Sequence, residues 1–142
     1  MAGIALRGKM KTVIVTAALI IERGKILVTQ REPGDSYELL WEFPGGTVKE
    51  WEEPREALQR ELREELDVEA KAGMMFDVAF FFYPEFPILL LVYYCRVEKG
   101  SLKPLRCHDL RWVTFQELET LPLPPADEPI RQHLSALREG FH

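Results

Sequence analysis

Residues Gly45 to Val68 read GGTVKEWEEPREALQRELREELDV, and the rest of the chain is organised around this stretch. It begins with a glycine pair, continues through an acidic run and ends in a segment of helical periodicity. Pro54 suits the first turn of a helix, where its missing N–H costs little. Apolar residues at helical spacing predict one packing face: Ala57, Leu58, Leu62 and Leu66.

Three glutamates share a neighbouring face of this predicted helix, because Glu61, Glu64 and Glu65 stand at i, i+3 and i+4. Like charges at this spacing repel by roughly a few tenths of a kcal/mol per pair when they are exposed. A divalent cation relieves the repulsion, and Mg²⁺ prefers oxygen ligands from carboxylates, water and phosphate. Arg60 can pair with Glu64 and hold its carboxylate in place. The alternative interpretation is a solvated acidic helix without a metal.

The spacing of this stretch resembles the Nudix box. From Gly46 it reads G-x5-E-x7-R-E-L-x-E-E-x-D-V, and all of the specified positions but one match. Asp67 stands where the family has Gly, and Asp tolerates the left-handed conformation needed there better than most residues. The resemblance makes Gly46 and Glu52 structural parts of the motif. Glu52 is expected to cap and brace the loop before the helix, or to bind metal through water.

The same resemblance implies the catalytic and metal-binding residues. The Gly45 carbonyl, Glu64 and Glu65 are implied as metal ligands, and Glu64 is also implied as a catalytic residue. Glu61 is implied as either a further ligand or the general base, and Arg60 as the residue that orients these carboxylates for catalysis. Mg²⁺ is the implied cofactor, with Mn²⁺ as a substitute.

Two flanking segments resemble the MutT-like branch of the family. One is the strand ending TQR at Arg31, and the other is LWEFPGG from Leu40 to Gly46. They place Arg31, Glu42 and Phe43 among the substrate-binding residues. Arg31 is either a surface charge at a strand end or a contact to substrate phosphate. Phe43 is expected in the core or in a pocket wall rather than stacked on a base.

Asp127 lies in the segment LPLPPADEPI, for which two interpretations stay open. It can be the N-cap of a C-terminal helix, with Pro129 in the first turn. The segment also resembles the base-reading PPANEP of MutT and the PAD-x-P of CTP pyrophosphohydrolases. An ionised Asp only accepts hydrogen bonds, which suits the exocyclic amine of cytosine. Reading guanine requires its N–H groups or a protonated Asp, and burial favours protonation, so the base stays undecided.

Two predicted strands, residues 74–83 and 88–97, flank the turn PEFP and carry a dense group of aromatic residues. Core packing accounts for most of these rings, and one or two are expected to wall a nucleobase pocket. Downstream, the family often has an acid shortly before the Trp at position 112. Arg111 precedes Trp112 here, so Asp109 is the nearest candidate for an additional acidic group.

Length and composition limit the class of protein. A chain of 142 residues with 46% hydrophobic content predicts one domain, residues 1–142, with its core at about residues 12–137. A net charge of −5 argues against a nucleic-acid polymer as partner. The apolar run Val13 to Ile21 is too short to span a bilayer. Two cysteines without metal-ligand spacing favour a reduced, cytoplasmic protein.

Pattern alone predicts α and β elements, and the resemblance implies the Nudix fold, an α/β/α sandwich around a mixed sheet. It also implies Mg²⁺-dependent hydrolysis of a nucleoside triphosphate to the monophosphate and pyrophosphate, in the sanitising of modified or oxidised nucleotides. The alternatives are a Nudix hydrolase of another diphosphate-linked substrate, such as ADP-ribose, and a nucleotide sensor without catalysis. The oligomeric state, monomer or homodimer, stays open.

Overall fold

A computed structural model describes residues 11–140 of the chain. The strands are β1 (Val13–Leu19), β2 (Ile21–Glu22), β3 (Lys25–Gln30), β4 (Trp41–Glu42), β5 (Gly45–Thr47), β6 (Glu69–Phe82), β7 (Pro87–Lys99) and β8 (Asp109–Thr114). The helices are α1 (Pro54–Leu66), α2 (Phe115–Leu118) and α3 (Glu128–Gly140), and a single 3-10 turn, Pro125–Asp127, precedes α3. No helix in residues 11–140 is long and apolar enough to cross a membrane.

The strands form two sheets. The first has the order β5-β1-β7-β6, with β1 and β7 parallel and the other pairs antiparallel. In the second sheet β3 pairs with β2, β4 and β8. The predicted mixed sheet is therefore confirmed, and the structure adds a second, antiparallel sheet. The second sheet begins where the chain leaves β1 and returns through the β2–β3 hairpin.

Helices cover both faces of the first sheet. Successive side chains of β1 point to opposite faces, so alternate residues contact different helices. Ala18 and Ile20 pack against the apolar stripe of α1. Ala17 and Leu19 face the other core, which contains residues of α2 and α3. This layering confirms the predicted α/β/α sandwich and leaves the acidic face of α1 beside β5.

Helix α1 begins and ends close to the residues that the sequence indicates. The carboxylate of Glu53, the N-cap, accepts hydrogen bonds from two backbone N–H groups of the first turn. The cap is thus Glu53 and not Glu52, because Glu52 turns toward Arg60 instead. Asp67 ends the helix in the left-handed conformation, with φ 59°, as its place in the motif predicts.

The two long strands are longer than the sequence predicts. β6 begins at Glu69, directly after Asp67 and Val68, and pairs with β7 as far as Lys99. Shifts in register between residues 72 and 77 interrupt the alternation of side chains in the first half of β6. The period-two pattern that predicts a strand is therefore absent from that part of the sequence.

Candidate active site

A cavity of about 470 Å³ opens between β5, the acidic face of α1 and the segment before α3. Its volume is within the range of small-molecule sites. Most of the predicted site residues line it: Arg31, Glu42, Phe43, Gly45, Gly46, Glu61, Glu65 and Asp127. The remaining candidates, Glu52, Arg60, Glu64 and Asp109, lie outside this lining.

Glu65 has the most perturbed environment of the acidic cluster. The pKa of its carboxyl is raised to about 9, chiefly by burial and then by the nearby carboxylates of Glu42 and Glu61. A backbone interaction with Gly45 opposes this shift only in part. The carboxylates of Glu42, Glu61 and Glu65 therefore line the same cavity, close enough for their charges to repel one another.

Arg60 holds three carboxylates in place. Its Nε lies 2.7 Å from Glu52, and its Nη1 lies 3.0 Å from Glu61 and 3.3 Å from Glu64. The hydrogen bond from Arg60 is the main reason that the pKa of Glu52 falls to about 2. Glu52 also accepts from the Lys49 N–H, so it joins the loop before α1 to the helix. The predicted bracing role of Glu52 fits this arrangement.

The two glycines of the motif make different close approaches. A Cβ on Gly46 would lie 2.3 Å from the carboxyl carbon of Glu61, so the absence of a side chain makes room for that carboxylate. A Cβ on Gly45 would lie 2.0 Å from the Thr16 carbonyl oxygen. Along an antiparallel strand, successive residues point their N–H and C=O groups alternately toward and away from the partner strand. The Pro44 C=O points toward β1, where it accepts from the Ala18 N–H. The N–H and C=O of Gly45, the next residue, therefore point away from β1.

Glu64 is bound by arginines rather than exposed to the cavity. Besides Arg60, the guanidinium of Arg106 lies 3.3 Å from its Oε2. Arg106 itself lines the cavity. The sequence reading missed Arg106, because the ion pair joins residues 42 positions apart and no local pattern marks it.

Arg31 and Glu42 form an ion pair in the cavity wall. Arg31 Nη1 lies 2.9 Å from Glu42 Oε1, and its Nε donates to the Ser36 carbonyl. Burial raises the pKa of Glu42, and the Arg31 charge only partly offsets the effect. Arg31 is therefore not a free surface charge: it faces the cavity with its guanidinium partly neutralised.

Asp127 is buried, with 8% of its surface exposed, at the wall formed by the segment before α3. Its Oδ2 accepts a long hydrogen bond, 3.4 Å, from the Phe43 N–H. The N-cap interpretation is wrong, because Asp127 ends the 3-10 turn and its carboxylate turns toward Phe43 instead of the first turn of α3. Burial, followed by the Glu42 charge, raises the pKa of Asp127 well above its ordinary value.

Aromatic residues form the wall near Asp127. Tyr83 and Phe86 line the cavity, as expected for one or two rings of the aromatic group, and Tyr37 packs against Tyr83 at 5.5 Å between ring centroids. The Tyr83 hydroxyl accepts a hydrogen bond from the Ala126 N–H and so joins the turn directly after β6 to the segment carrying Asp127. The sequence reading missed Tyr37, which lies in a polar loop without periodicity.

Asp109 does not contribute to this cavity. It begins β8 opposite Gln30, its side chain is exposed, and its carboxylate accepts from the N–H of the next residue. The alternative of an additional acid at this position is not supported by the geometry.

The carboxylates fit a divalent cation, although no three acidic, His or Cys side chains within residues 11–140 converge as a ready ligand set. Arg60 draws Glu61 and Glu64 toward itself, which accounts for the spread. Two observations support a cation at this place. The carboxylates of Glu42 and Glu61 repel that of Glu65, and the absence of a side chain on Gly46 makes room for the Glu61 carboxylate. Carboxylate and carbonyl oxygens are the donors that hard divalent cations prefer.

Comparison with known proteins identifies the family. The NUDIX domain matches residues 10–135. This chain belongs to the Nudix family. A CTP pyrophosphohydrolase of Escherichia coli K12 is 38% identical over 129 residues, covering 91% of this chain and 96% of that protein. An 8-oxo-dGTP diphosphatase of Haemophilus influenzae is 33% identical over 126 residues, covering 87% and 93%.

A solved structure agrees with this assignment. The solution structure of the E. coli ORF135 protein superimposes with a TM-score of 0.80 at 38% identity, covering 92% of this chain and 94% of that one. The predicted Nudix family, its MutT-like branch and the enzyme class are confirmed, so this chain is a Nudix hydrolase. Nudix hydrolases generally depend on a divalent metal, which agrees with the donor set described above.

Proposed function

We propose that this Nudix hydrolase converts a cytidine-like nucleoside triphosphate and water into the monophosphate and pyrophosphate, with Mg²⁺ as the metal. The observation that carries the choice of base is the buried Asp127, which faces the same cavity as Glu61 and Glu65. A nucleotide placed with its base against Asp127 extends its phosphates toward the carboxylates. The 38% identity to a CTP pyrophosphohydrolase supports this choice.

The carboxylates divide the work at the phosphate end of the cavity. Glu61, Glu64, Glu65 and the Gly45 carbonyl would hold the metal, and Glu61 is the alternative general base. The metal, when bound, neutralises phosphate charge and lowers the pKa of a water molecule. Arg60 fixes the orientation of Glu61 through their 3.0 Å contact. Arg31 adds a cation to the cavity wall, where it can stabilise charge on a transferring phosphoryl group.

The protonation state of Asp127 decides which hydrogen bonds its carboxyl group can make with the edge of the base. A protonated carboxyl both donates and accepts, so it can meet N3 and the exocyclic amine of cytosine together. The environment of Asp127 favours the protonated form. The aromatic wall of Tyr83 and Phe86 would supply apolar contact to the same ring.

An oxidised purine nucleotide is the second candidate substrate. A neutral Asp127 can donate to a purine carbonyl and accept from a ring N–H, as an Asn amide does. The 33% identity to an 8-oxo-dGTP diphosphatase supports this alternative. Either substrate fits the predicted sanitising of modified nucleotides in a cytoplasmic setting, without a nucleic-acid polymer.

Pyrophosphate release with Mg²⁺ tests this function across CTP, 5-methyl-dCTP, 8-oxo-dGTP, unmodified nucleotides and ADP-ribose. We expect pyrophosphate from the cytidine nucleotides, and loss of activity with EDTA. A strong preference for 8-oxo-dGTP would transfer the proposal to the second candidate. If ADP-ribose is the only substrate that is hydrolysed, the proposed metal ligands stand and the proposed recognition of the base by Asp127 is wrong. Nucleotide binding without any turnover would indicate the sensor.

An ionised Asp127 only accepts hydrogen bonds, whereas Asn also donates. Replacing Asp127 with Asn is therefore expected to change the ratio of kcat/KM for CTP and 8-oxo-dGTP by about tenfold or more above the raised pKa of Asp127, where hydrogen bonds to the charged carboxylate contribute about 1.5–3 kcal/mol, and to change it less below that pKa, where the neutral acid resembles Asn. The turnover number on the better substrate should change less. Asp109→Asn is the matched control, since it makes the same chemical change on an exposed acid outside the cavity. An unchanged ranking of bases in Asp127→Asn would remove Asp127 from base recognition.

A further inference from the structure

The cavity has few cations for a site that is to bind a polyphosphate. Among the described residues that line it, Arg31 and Arg106 are the cationic ones, and acidic side chains outnumber them. Arg31 is already engaged with Glu42 and the Ser36 carbonyl. Within residues 11–140 the side chain of Arg106 pairs with Glu64 alone, so Arg106 is the cation whose release costs least.

The backbone around Arg106 is fixed although its side chain is not. The segment between β7 and β8 packs on the end of α1, where the N–H groups of Leu105 and Arg106 donate to the Glu65 carbonyl at 2.8 and 3.2 Å. The Arg106 side chain is 66% exposed and lines the cavity from this anchored position. Its guanidinium can therefore turn from Glu64 toward the cavity without any rearrangement of the loop.

The ion pair between Arg106 and Glu64 is a weak restraint. Exposed pairs of this kind contribute little to stability, because water and salt screen the two charges. Glu64 has a second partner in Arg60, so it stays neutralised when Arg106 leaves. If Glu64 becomes a metal ligand, as proposed above, Arg106 loses its partner in the same event. Arginine then offers a planar, two-pronged donor that matches phosphate geometry.

We propose that Arg106 binds the terminal phosphate of a nucleoside triphosphate and makes the site select triphosphates over diphosphates. This inference rests on the proposed function. With the base at Asp127, the phosphate chain runs past Arg31 toward Glu61 and Glu65. Arg106 pairs with Glu64, and its backbone N–H bonds to the Glu65 carbonyl, so its side chain reaches the cavity from the side of these proposed metal ligands. A diphosphate is one phosphate shorter and leaves Arg106 without a ligand.

Equilibrium binding separates this role from a purely structural one. The probes are the non-hydrolysable α,β-methylene analogues of CTP and CDP, titrated with Mg²⁺ into the wild type, Arg106→Gln and Arg106→Lys. In Arg106→Gln we expect the affinity for the triphosphate analogue to fall about tenfold, and the affinity for the diphosphate analogue to change less than twofold. The Lys variant should recover part of the loss, because it restores the charge without the planar fork.

Arg63→Gln is the matched control, since it also removes an exposed ion pair from α1, here with Glu69 at 3.0 Å and away from the cavity. It should bind both analogues like the wild type. In hydrolysis, Arg106→Gln should raise KM for the triphosphate and leave kcat nearly unchanged. Thermal unfolding of each variant shows whether the fold is intact.

Three results would overturn the role of Arg106. They are an equal loss for both analogues, a wild type that does not prefer the triphosphate, and a change confined to Mg²⁺ affinity. The last would mean that Arg106 only competes with the metal for Glu64. The proposed function fails separately, through absent pyrophosphate release by the wild type, so the two failures are distinguishable.

Discussion

Replacing Glu65 with Gln is expected to stabilise the metal-free protein above neutral pH and to lower turnover by about 10²- to 10³-fold. The fold raises the pKa of this carboxyl from 4.5 to about 9, chiefly through burial and then through Glu42 and Glu61. The folded state therefore favours the protonated acid. Gln resembles that neutral form in shape and cannot ionise, so it removes the cost of a buried charge together with a proposed metal ligand.

The sign of the pH dependence follows from the raised pKa. The contribution of Glu65 to the free energy of unfolding is complete below about pH 4.5 and is lost as the pH rises toward 9. In EDTA, wild type and Glu65→Gln should have similar stability near pH 4.5. At pH 8 the variant should be more stable by on the order of a few kcal/mol. Urea unfolding at several pH values measures this difference.

Glu56→Gln is the control for this prediction, because Glu56 lies exposed in the first turn of the same helix. Its stability should follow the wild type at every pH. Added Mg²⁺ should stabilise the wild type more than Glu65→Gln, since the cation offsets the charge crowding that the variant no longer has. Two results would contradict a raised pKa of Glu65: a Glu65→Gln variant that is less stable than the wild type at pH 8, or a change in stability that is the same at every pH.

Gly45→Ala is expected to destabilise the protein by about 3 kcal/mol or more. Its Cβ would lie 2.0 Å from the Thr16 carbonyl oxygen and 2.8 Å from the Ala17 Cα, both of them backbone atoms of β1. The contact can be relieved only by separating β5 from β1, which costs ladder hydrogen bonds. The midpoint of urea unfolding measures the loss, and wild-type stability in this variant would contradict the close packing of the two strands.

Gly46→Ala makes the same chemical change one residue later and should behave differently. Its Cβ would meet only the end of the Glu61 side chain, with the nearest carboxylate oxygen at 2.4 Å. That side chain can rotate away, so we expect a loss of about 1 kcal/mol or less and a fall in turnover of about 10²-fold. Full activity in Gly46→Ala would show that the observed position of Glu61 is not needed.

Local spacing predicts the features that depend on near neighbours in the chain. The i, i+3, i+4 placement puts Glu61, Glu64 and Glu65 on one side of α1, because the helix repeats every 3.6 residues. Pro54 and Asp67 mark the two ends of the helix within a residue of the observed limits. The exception is the N-cap, where Glu53 competes with Glu52 and the position of Arg60 decides between them.

Long-range contacts decide the remaining features of the site, and no local pattern encodes them. Asp127 meets the Phe43 N–H across 84 positions, which makes it a cavity residue and excludes the helix cap. Arg106 reaches Glu64 across 42 positions.

The sequence by itself determined the family, the helix with its carboxylates and eight of the residues that line the cavity. Only the tertiary structure decided the surroundings of Glu65, the partners of Glu64 and the burial of Asp127. The physical reason is that a helix fixes its own side-chain spacing. The distance between α1, β5 and the segment before α3 depends instead on strand register and on how both cores pack.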